Sequence, residues 1–418
     1  MTKTVTIVGQ GYVGLPLAKA AAAAGWKVYG FDVNNSVVSA LNSGVSHIDD
    51  LSDGDIRDML SRGYEPTDDA SVISSSDFVS ICVPTPLQGA NEPDLGAIQT
   101  ACTTVANHLR PGTTVILEST TYPGTTEDVC LPILERSGLK CGTDFLLAFS
   151  PERVDPGSRQ YGIINTPKLV GGFDAPATER AASFYSTFVD TVVPMKGTKE
   201  AEMAKLLENT FRHVNIALVN EMARFCHDLD IDIWDVIKGA STKPFGFMPF
   251  RPGPGVGGHC IPIDPNYLSY EVKKELGYPF RFVELAQEIN ASMPAYVVQR
   301  LSEILNSVKK AVNGSSVLLL GVTYKPNVSD RREAPSLPIA KLLLKAGADV
   351  AYHDPFVPEW HVDDTVLTSE KDYIAAAARA DVTVILQAHE SYNVPSLSTS
   401  ARLLFDATGV ATDPATRL

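Results

Sequence analysis

Thr4-Val-Thr-Ile-Val-Gly9-Gln10-Gly11-Tyr12-Val13-Gly14-Leu15-Pro-Leu-Ala18 is the stretch on which the fold turns. The β-branched run Thr4–Val8 reads as a buried strand. It passes into a Gly-x-Gly-x-x-Gly loop and then into a helical stretch over residues 15–24, which Gly25 can end. In that setting each glycine has its own reason. Gly9 permits the tight turn, Gly11 lets a pyrophosphate approach the backbone at the positive end of a helix, and Gly14 lets helix pack closely on strand. A second strand, Lys27–Phe31, ends at Asp32, at about the 20-residue offset expected of a dinucleotide fold. Its carboxylate can accept hydrogen bonds from both ribose hydroxyls of an adenosine and would repel a 2′-phosphate, so NAD is expected rather than NADP. A helix-capping aspartate is the plainer reading of Asp32 taken alone.

The alternation continues. Residues 78–83 and Thr114–Leu117 are further strand candidates, each running into a polar loop. Strands alternating with helices predict a parallel sheet covered by helices, here over residues 1–195. The character changes at Thr198. From there to Gly239 no good strand occurs, residues 244–265 are rich in Pro and Gly, and another helical stretch runs over 282–305. Residues 196–310 therefore read as a helical domain whose Leu, Met and Phe stripes serve core or subunit packing. Strand candidates return at 317–320, 350–352, 382–386 and 403–405, so residues 311–418 read as a second α/β domain. The expected fold class is α/β, with two Rossmann-like open parallel-sheet domains joined by a central helical domain.

Composition narrows the function. The chain has 418 residues and a net charge of −14, which argues against nonspecific nucleic-acid binding, since that needs Lys and Arg to neutralise phosphates. The first apolar run is too short for a signal peptide, and no charge-free stretch is long enough to span a bilayer. A cytoplasmic protein without a membrane segment is expected. Cys82, Cys102, Cys130, Cys141 and Cys226 read as small buried apolar side chains in a reducing compartment. No Cys/His spacing resembles a metal site, and no metal is expected.

The stretch Pro252-Gly-Pro-Gly-Val-Gly-Gly-His-Cys260-Ile-Pro-Ile-Asp264 stands apart. A glycine-rich loop exposes backbone N–H groups that can hold an oxyanion, and a cysteine among them can act as a nucleophile. The residues alone leave two readings of Cys260 open, that nucleophile or a buried thiol in a tight structural loop. If a helical turn begins at Asp264, its carboxylate returns to the side of Cys260. Beside a nicotinamide, a thiol suits the oxidation of an aldehyde onward to an acid, through a thiohemiacetal and a thioester. Lys205, Asn209 and Arg212 fall at i, i+4 and i+7 and share a helix face, although a solvated face is the commoner fate of Lys and Arg. Glu152 and Arg153 follow a strand-like stretch over 145–149, as a base and an anion contact or as an ordinary surface turn.

Six blocks, in order, carry a resemblance: GQGYVGLPLA, ESTTYPGT around Thr120, FSPERVDPG, KLLENTFRHVNIALVNE, GPGVGGHCIPIDP and GVTYKPNVSDRREAPS. Over essentially its full length the chain resembles the UDP-glucose/UDP-mannuronate type dehydrogenases. The resemblance implies an NAD-binding first domain, a C-terminal domain that helps hold a UDP-sugar, and central helices that form a homodimer or a larger homo-oligomer. It implies that Cys260 is the thiol nucleophile and that Lys205 polarises the C6 oxygen. It makes Asp264 the partner of a base water, Glu152 the carboxylate linked to thioester hydrolysis, and Asn209 an oxyanion donor. Arg153, Val154, Arg212, Tyr324 and Lys325 match substrate contacts, as Lys205 and Asn209 also do, and Arg251 is given to phosphate contact. Thr85, Thr120 and Arg332 match positions around NAD, with Gly9, Gly11, Tyr12, Val13, Gly14 and Asp32. Ile263 stands where UDP-glucose members commonly carry lysine. This feature and the KPFGFMPF stretch look more like the N-acetylhexosamine branch, and nearest to UDP-N-acetylglucosamine 6-dehydrogenases, with UDP-N-acetylmannosamine and UDP-glucose as the alternatives. The expected reaction is a four-electron, NAD-dependent oxidation of the C6 alcohol to the uronic acid, on the way to a polysaccharide. Two other classes remain: a two-electron dehydrogenase of the 3-hydroxyacid or 6-phosphogluconate kind, and an NAD-binding scaffold without turnover.

Overall fold

Strand β1 is Thr4–Val8, and parallel neighbours fill both of its edges: β2 (Lys27–Phe31) on one side and β4 (Phe78–Ile81) on the other. Strand β3 (Tyr64–Thr67) extends the sheet beyond β2, and β5 (Thr114–Leu117) and β6 (Leu146–Phe149) extend it beyond β4, all parallel. Strand β7 (Lys168–Gly172) then pairs antiparallel with β6, and β8 (Val192–Pro194) pairs parallel with β7. The order β8-β7-β6-β5-β4-β1-β2-β3 is that of an open doubly wound sheet with a reversed edge. Alternation along the strands feeds two cores. Val5, Ile7 and Phe78 face one, with Leu15, Trp26 and Phe184, while Val8, Ile81, Leu117 and Phe149 face the other. Helix α1, Gly14–Ala23, covers the first face.

The computed structural model describes residues 3–88, 92–154, 160–258, 261, 263–412 and 414–418. By packing the chain divides into two units, Met1–Glu208 with Asn266–Tyr278, and Asn209–Pro265 with Pro279–Leu418. Helix α2, Thr198–Asp228, contributes its first turns to one unit and the rest to the other. The helical run expected over 198–239 is broken in two. Asp230 takes a left-handed φ of 56°, and the Asp232 side chain then accepts from the amides of Trp234 and Asp235 to start α3, Ile233–Ala240. Helix α4 is Asp264–Leu276, and α5 is Arg281–Ser307.

The second unit carries a five-stranded parallel sheet. Strand β9 (Ser316–Leu320) sits between β10 (Asp349–His353) and β13 (Val382–Ile385). Strands β14 (Leu404–Asp406) and β15 (Thr416–Arg417) continue the sheet, and β11 (Glu359–Val362) and β12 (Thr365–Thr368) form a separate hairpin. Helix α6, Ser336–Lys345, packs its Ile339, Ala340 and Leu343 into a core with Val317, Leu319 and Tyr352. Both units are thus open, mainly parallel sheets with helices, as the sequence predicts, and the first adds a reversed edge of β7 and β8. In such sheets ligands meet the loops past the carboxyl ends of the strands. Asp32, Thr85, Thr120, Glu152 and Tyr324 follow strand ends in this way, whereas Lys205, Asn209 and Asp264 lie on helices.

Candidate active site

In the first unit the Gly-x-Gly-x-x-Gly loop is compressed on one side and open on the other. Gly9 has φ +91°, and a Cβ there would lie 2.6 Å from the Cys82 carbonyl oxygen. A Cβ on Gly14 would lie 1.9 Å from the Gly9 carbonyl oxygen, so α1 can begin where it does only with glycine. A Cβ on Gly11 would meet nothing within 4 Å. That open face, at the N-terminal end of α1, fits the pyrophosphate of a dinucleotide. Tyr12 is exposed beside it, and Val13 packs against the core. Past β2, Asp32 accepts from the Gln10 amide at 2.8 Å and from the Asn34 amide at 2.9 Å. It ties the loop to the end of β2, while its oxygens keep lone pairs for ribose hydroxyls. The cap of the following helix is Asn34, whose side chain accepts from the Ser36 amide, so Asp32 is not that helix's cap. Thr85, past β4, is buried, and its carbonyl accepts from the Tyr267 hydroxyl at 2.6 Å. Thr120 lies half-buried just past β5.

Past β6 comes the loop Pro151-Glu152-Arg153-Val154. The Glu152 carboxylate accepts from the Val154 amide, and the Glu152 carbonyl accepts from Lys205 Nζ at 2.5 Å. Lys205, on α2, is buried rather than solvated. Arg153 is occupied within the protein. Its guanidinium pairs with both carboxylate oxygens of Glu208, at 2.7 and 3.2 Å, and donates to the Pro167 carbonyl.

In the second unit Asn209 Nδ2 donates to Asp264 Oδ2 at 2.5 Å, with both side chains buried. Asp264 does open a helix, α4, as its expected orientation requires. His259, Cys260 and Pro262 lie outside the described residues. The loop that leads to them is held by contact and by a polar ladder. A Cβ on Gly257 would lie 2.7 Å from Tyr324 Cβ and 2.8 Å from the Glu333 carbonyl oxygen, and the Gly258 amide donates to the Arg332 carbonyl at 2.9 Å. Gly253 donates to Asn220 Oδ1, and Asn220 donates in turn to Asn290. The loop bearing Tyr324 and Lys325 follows β9, and Gln387 Nε2 holds the Tyr324 carbonyl at 2.9 Å. Arg332 belongs to this unit and clasps the Asp330 carboxylate at 2.6 and 3.0 Å. Arg212 and Arg251 are exposed.

Three buried polar clusters are built on residues to which the sequence assigns no role. Glu118, past β5, accepts from Lys168 Nζ at 2.6 Å, from the Tyr185 hydroxyl at 2.7 Å and from the Ser80 hydroxyl at 2.8 Å. Burial works against the Lys168 ammonium, but the carboxylates of Glu118 and Glu152 outweigh it and hold its pKa above the ordinary lysine value. Glu202, on α2, accepts from the amides of Gly124 and Thr126 and from the Thr126 hydroxyl. Burial nonetheless pushes its carboxyl up to about 7. In the second unit His389 and Asp354 form a buried pair at 3.0 Å. Asn327 N donates to His389 Nδ1, so Nε2 carries the proton toward Asp354 and the loop after β9 is clipped down. Cys82, Cys102, Cys130 and Cys226 are buried free thiols, and Cys141 is half-buried. Among the described residues no cluster of His, Cys, Asp and Glu is arranged to hold a metal, and no helix is long and apolar enough to cross a membrane.

A Gly-x-Gly-x-x-Gly loop of dinucleotide form, set in a doubly wound sheet that matches an NAD binding domain, defines an NAD-dependent oxidoreductase. The chain belongs to the UDP-glucose/GDP-mannose dehydrogenase family. Models of that family's NAD binding, central and UDP binding domains match residues 3–189, 199–292 and 318–414. The UDP-N-acetyl-D-mannosamine dehydrogenase of Pyrococcus horikoshii is 36% identical over 359 residues, 85% of this chain and 84% of the relative. The UDP-N-acetyl-D-glucosamine 6-dehydrogenase of Salmonella typhi is 38% identical over 357 residues, 84% of this chain and 82% of the relative. A solved structure of the P. horikoshii UDP-D-ManNAc dehydrogenase superposes with a TM-score of 0.89 at 34% identity, covering 99% of this chain and 97% of that one. The chain is thus an NAD-dependent UDP-sugar dehydrogenase.

Proposed function

We propose that the chain oxidises the C6 alcohol of a UDP-N-acetylhexosamine, UDP-GlcNAc foremost, to the carboxylate through an enzyme thioester. The observation that carries the reading is the buried Asn209–Asp264 bond at the start of α4, with Lys205 one turn back from Asn209 on α2. An amide donor, a carboxylate and an ammonium are the groups that an alcohol-to-acid oxidation needs around its oxygen. NAD, held by Gly9, Gly11, Gly14 and Asp32 with Thr85 and Thr120 nearby, supplies the hydride acceptor when bound, once for the alcohol and once for the thiohemiacetal. Lys205 polarises O6, and Asp264 takes up the alcohol proton through a water. The Cys260 sulfur adds to the aldehyde carbon. After the second oxidation a water attacks the thioester carbonyl, the C–S bond breaks, and the products are the carboxylate, the free thiol and one proton. Glu152 serves that hydrolysis, and Asn209 donates to the oxyanion. Tyr324, Lys325, Arg153, Val154, Arg212 and Arg251 are assigned to the UDP-sugar, and Arg332 to NAD. Residues 1–195, 196–310 and 311–418 are taken as the NAD, helical and UDP-sugar domains, and the assembly as a homodimer or larger homo-oligomer working in the cytoplasm.

Support for an N-acetylated sugar comes from Ile263, from the S. typhi relative's name and from the P. horikoshii relative's name. UDP-ManNAc is the second reading, favoured by the 0.89 TM-score to a UDP-D-ManNAc dehydrogenase. The deciding measurement is NADH formed at completion from limiting UDP-GlcNAc, UDP-ManNAc and UDP-glucose, each alone. Two NADH per UDP-GlcNAc with little from the others supports the proposal. Two from UDP-ManNAc alone keeps the chemistry and moves the substrate. One NADH from any sugar removes the thioester route.

A further inference from the structure

We propose that Lys168, backed by Glu118, is a positioning residue that aims Glu152. The inference rests on the part given to Glu152 in thioester hydrolysis. Two consecutive carbonyls of the loop after β6 are each held by an ammonium. Lys168 Nζ donates to the Pro151 carbonyl at 3.1 Å, and Lys205 Nζ donates to the Glu152 carbonyl at 2.5 Å. Peptide groups are planar, so fixing both carbonyls fixes the planes on either side of the Glu152 Cα and with them the direction of its side chain. The bond from the Val154 amide then closes the carboxylate into a tight turn.

Lys168 is suited to this and to little else. It opens β7, the strand that reverses against β6, so its side chain lies beneath the loop that β6 leads into. Its ammonium also meets Glu118 Oε2 at 2.6 Å and sits 5.1 Å from the Tyr185 ring centroid. Glu118 is itself fixed by the Ser80 and Tyr185 hydroxyls. The contacts of Lys168 are thus with buried groups of the protein itself. A buried ion pair contributes little net stability over an apolar pair of the same volume, because desolvation offsets the attraction. What it supplies here is a charged donor at a fixed point under the Pro151 carbonyl. There is little slack, since the cavity lined by Glu152, Thr166, Lys168 and Tyr185 amounts to only about 10 Å³.

The test compares Glu152→Gln, Lys168→Met and their combination in the full chain. The readout is the rate at which the covalent sugar adduct is lost, followed by rapid quench and intact-mass measurement. Lys168→Met should slow adduct loss about tenfold or more while the KM for NAD stays within about twofold. Lys168→Arg, which keeps the cation, should restore most of the rate. The combined variant should be no slower than Glu152→Gln alone, because two residues acting through one group are not additive. Should Lys168→Met not fold, Glu118→Gln with Lys168→Met removes both buried charges together and takes its place. Wild-type adduct loss in the Lys168 variants, or full additivity with Glu152→Gln, overturns the inference and leaves the role of Glu152 intact. If Glu152→Gln itself neither slows adduct loss nor accumulates adduct, the reading of Glu152 fails, and the inference falls with it.

Discussion

The bond from Asn209 to Asp264 is made where neither group meets water, so each depends on the other. Asn209→Ala leaves a buried carboxylate short of a donor, a loss of about 1–3 kcal/mol in stability. If Asn209 also serves the oxyanion, kcat falls on the order of a hundredfold. Thermal unfolding and steady-state turnover of the same preparation check both. A variant that loses stability and keeps kcat would leave Asn209 a structural side chain only. Asp32 allows a second expectation. Its carboxylate holds the Gln10 and Asn34 amides and is given to the adenosine ribose as well. Asp32→Asn keeps the shape but gives up the negative charge that disfavours a 2′-phosphate. The ratio of kcat/KM for NAD over that for NADP should therefore fall by about tenfold. An unchanged ratio would take nucleotide selection away from Asp32.

Helix α2 carries Lys205 and Asn209, and three residues before Lys205 it carries Glu202, buried against the loop of Gly124 and Thr126. Burial raises the Glu202 carboxyl from 4.5 to about 7, although the bonds from Thr126 and Gly124 work the other way. Below about pH 4.5 folded and unfolded chains both hold this proton, so it adds no pH dependence. Between 4.5 and about 7 only the folded chain holds it, so stability falls as pH rises, by about 3 kcal/mol in all. Above that the loss is complete. In Glu202→Gln this component vanishes, and the difference in Tm between variant and wild type should climb from pH 4.5 to 7 and then level. A difference that stays flat with pH would mean that Glu202 is ionised throughout. Nothing local in the sequence marks Glu202, because its partners lie 76 and 78 residues away. Lys168 is silent in the same way, while Glu118 opens the ESTTYPGT block but its partner 50 residues away is not marked there. By contrast β1, β2 and the glycine loop are legible, since their spacing alone places Gly9, Gly11, Gly14 and Asp32. The spacing of Lys205 and Asn209 gives a shared helix face. Their burial is not legible there, because lysine usually lies in water. Strand β7 hides as well. It begins with a charge and ends in two glycines, whose need appears only when a Cβ on Gly171 would lie 2.0 Å from the Gly197 carbonyl oxygen.

Large apolar side chains stay in water along much of α2, at Met203, Leu207, Phe211, Leu218 and Phe225, and just past its end at Leu229, which is about two-thirds exposed. The five on the helix are spaced by four, four, seven and seven residues, which keeps them near one stripe. A stripe that long on a single chain costs solvation unless another surface covers it. A second copy of the chain is the occupant that the proposed homodimer supplies, and a stripe lying across a twofold axis would meet its own equivalent. The charge of −14 sets the condition for this, since two such chains repel each other and need apolar contact to offset it. Leu218→Glu with Phe225→Glu should therefore convert the assembly to single chains in sedimentation or light scattering, with NAD still bound by the Gly-x-Gly-x-x-Gly loop in the other unit. Retention of the wild-type mass would show that the stripe is covered by something other than its copy. A wild type that already sediments as one chain would remove the homodimer itself.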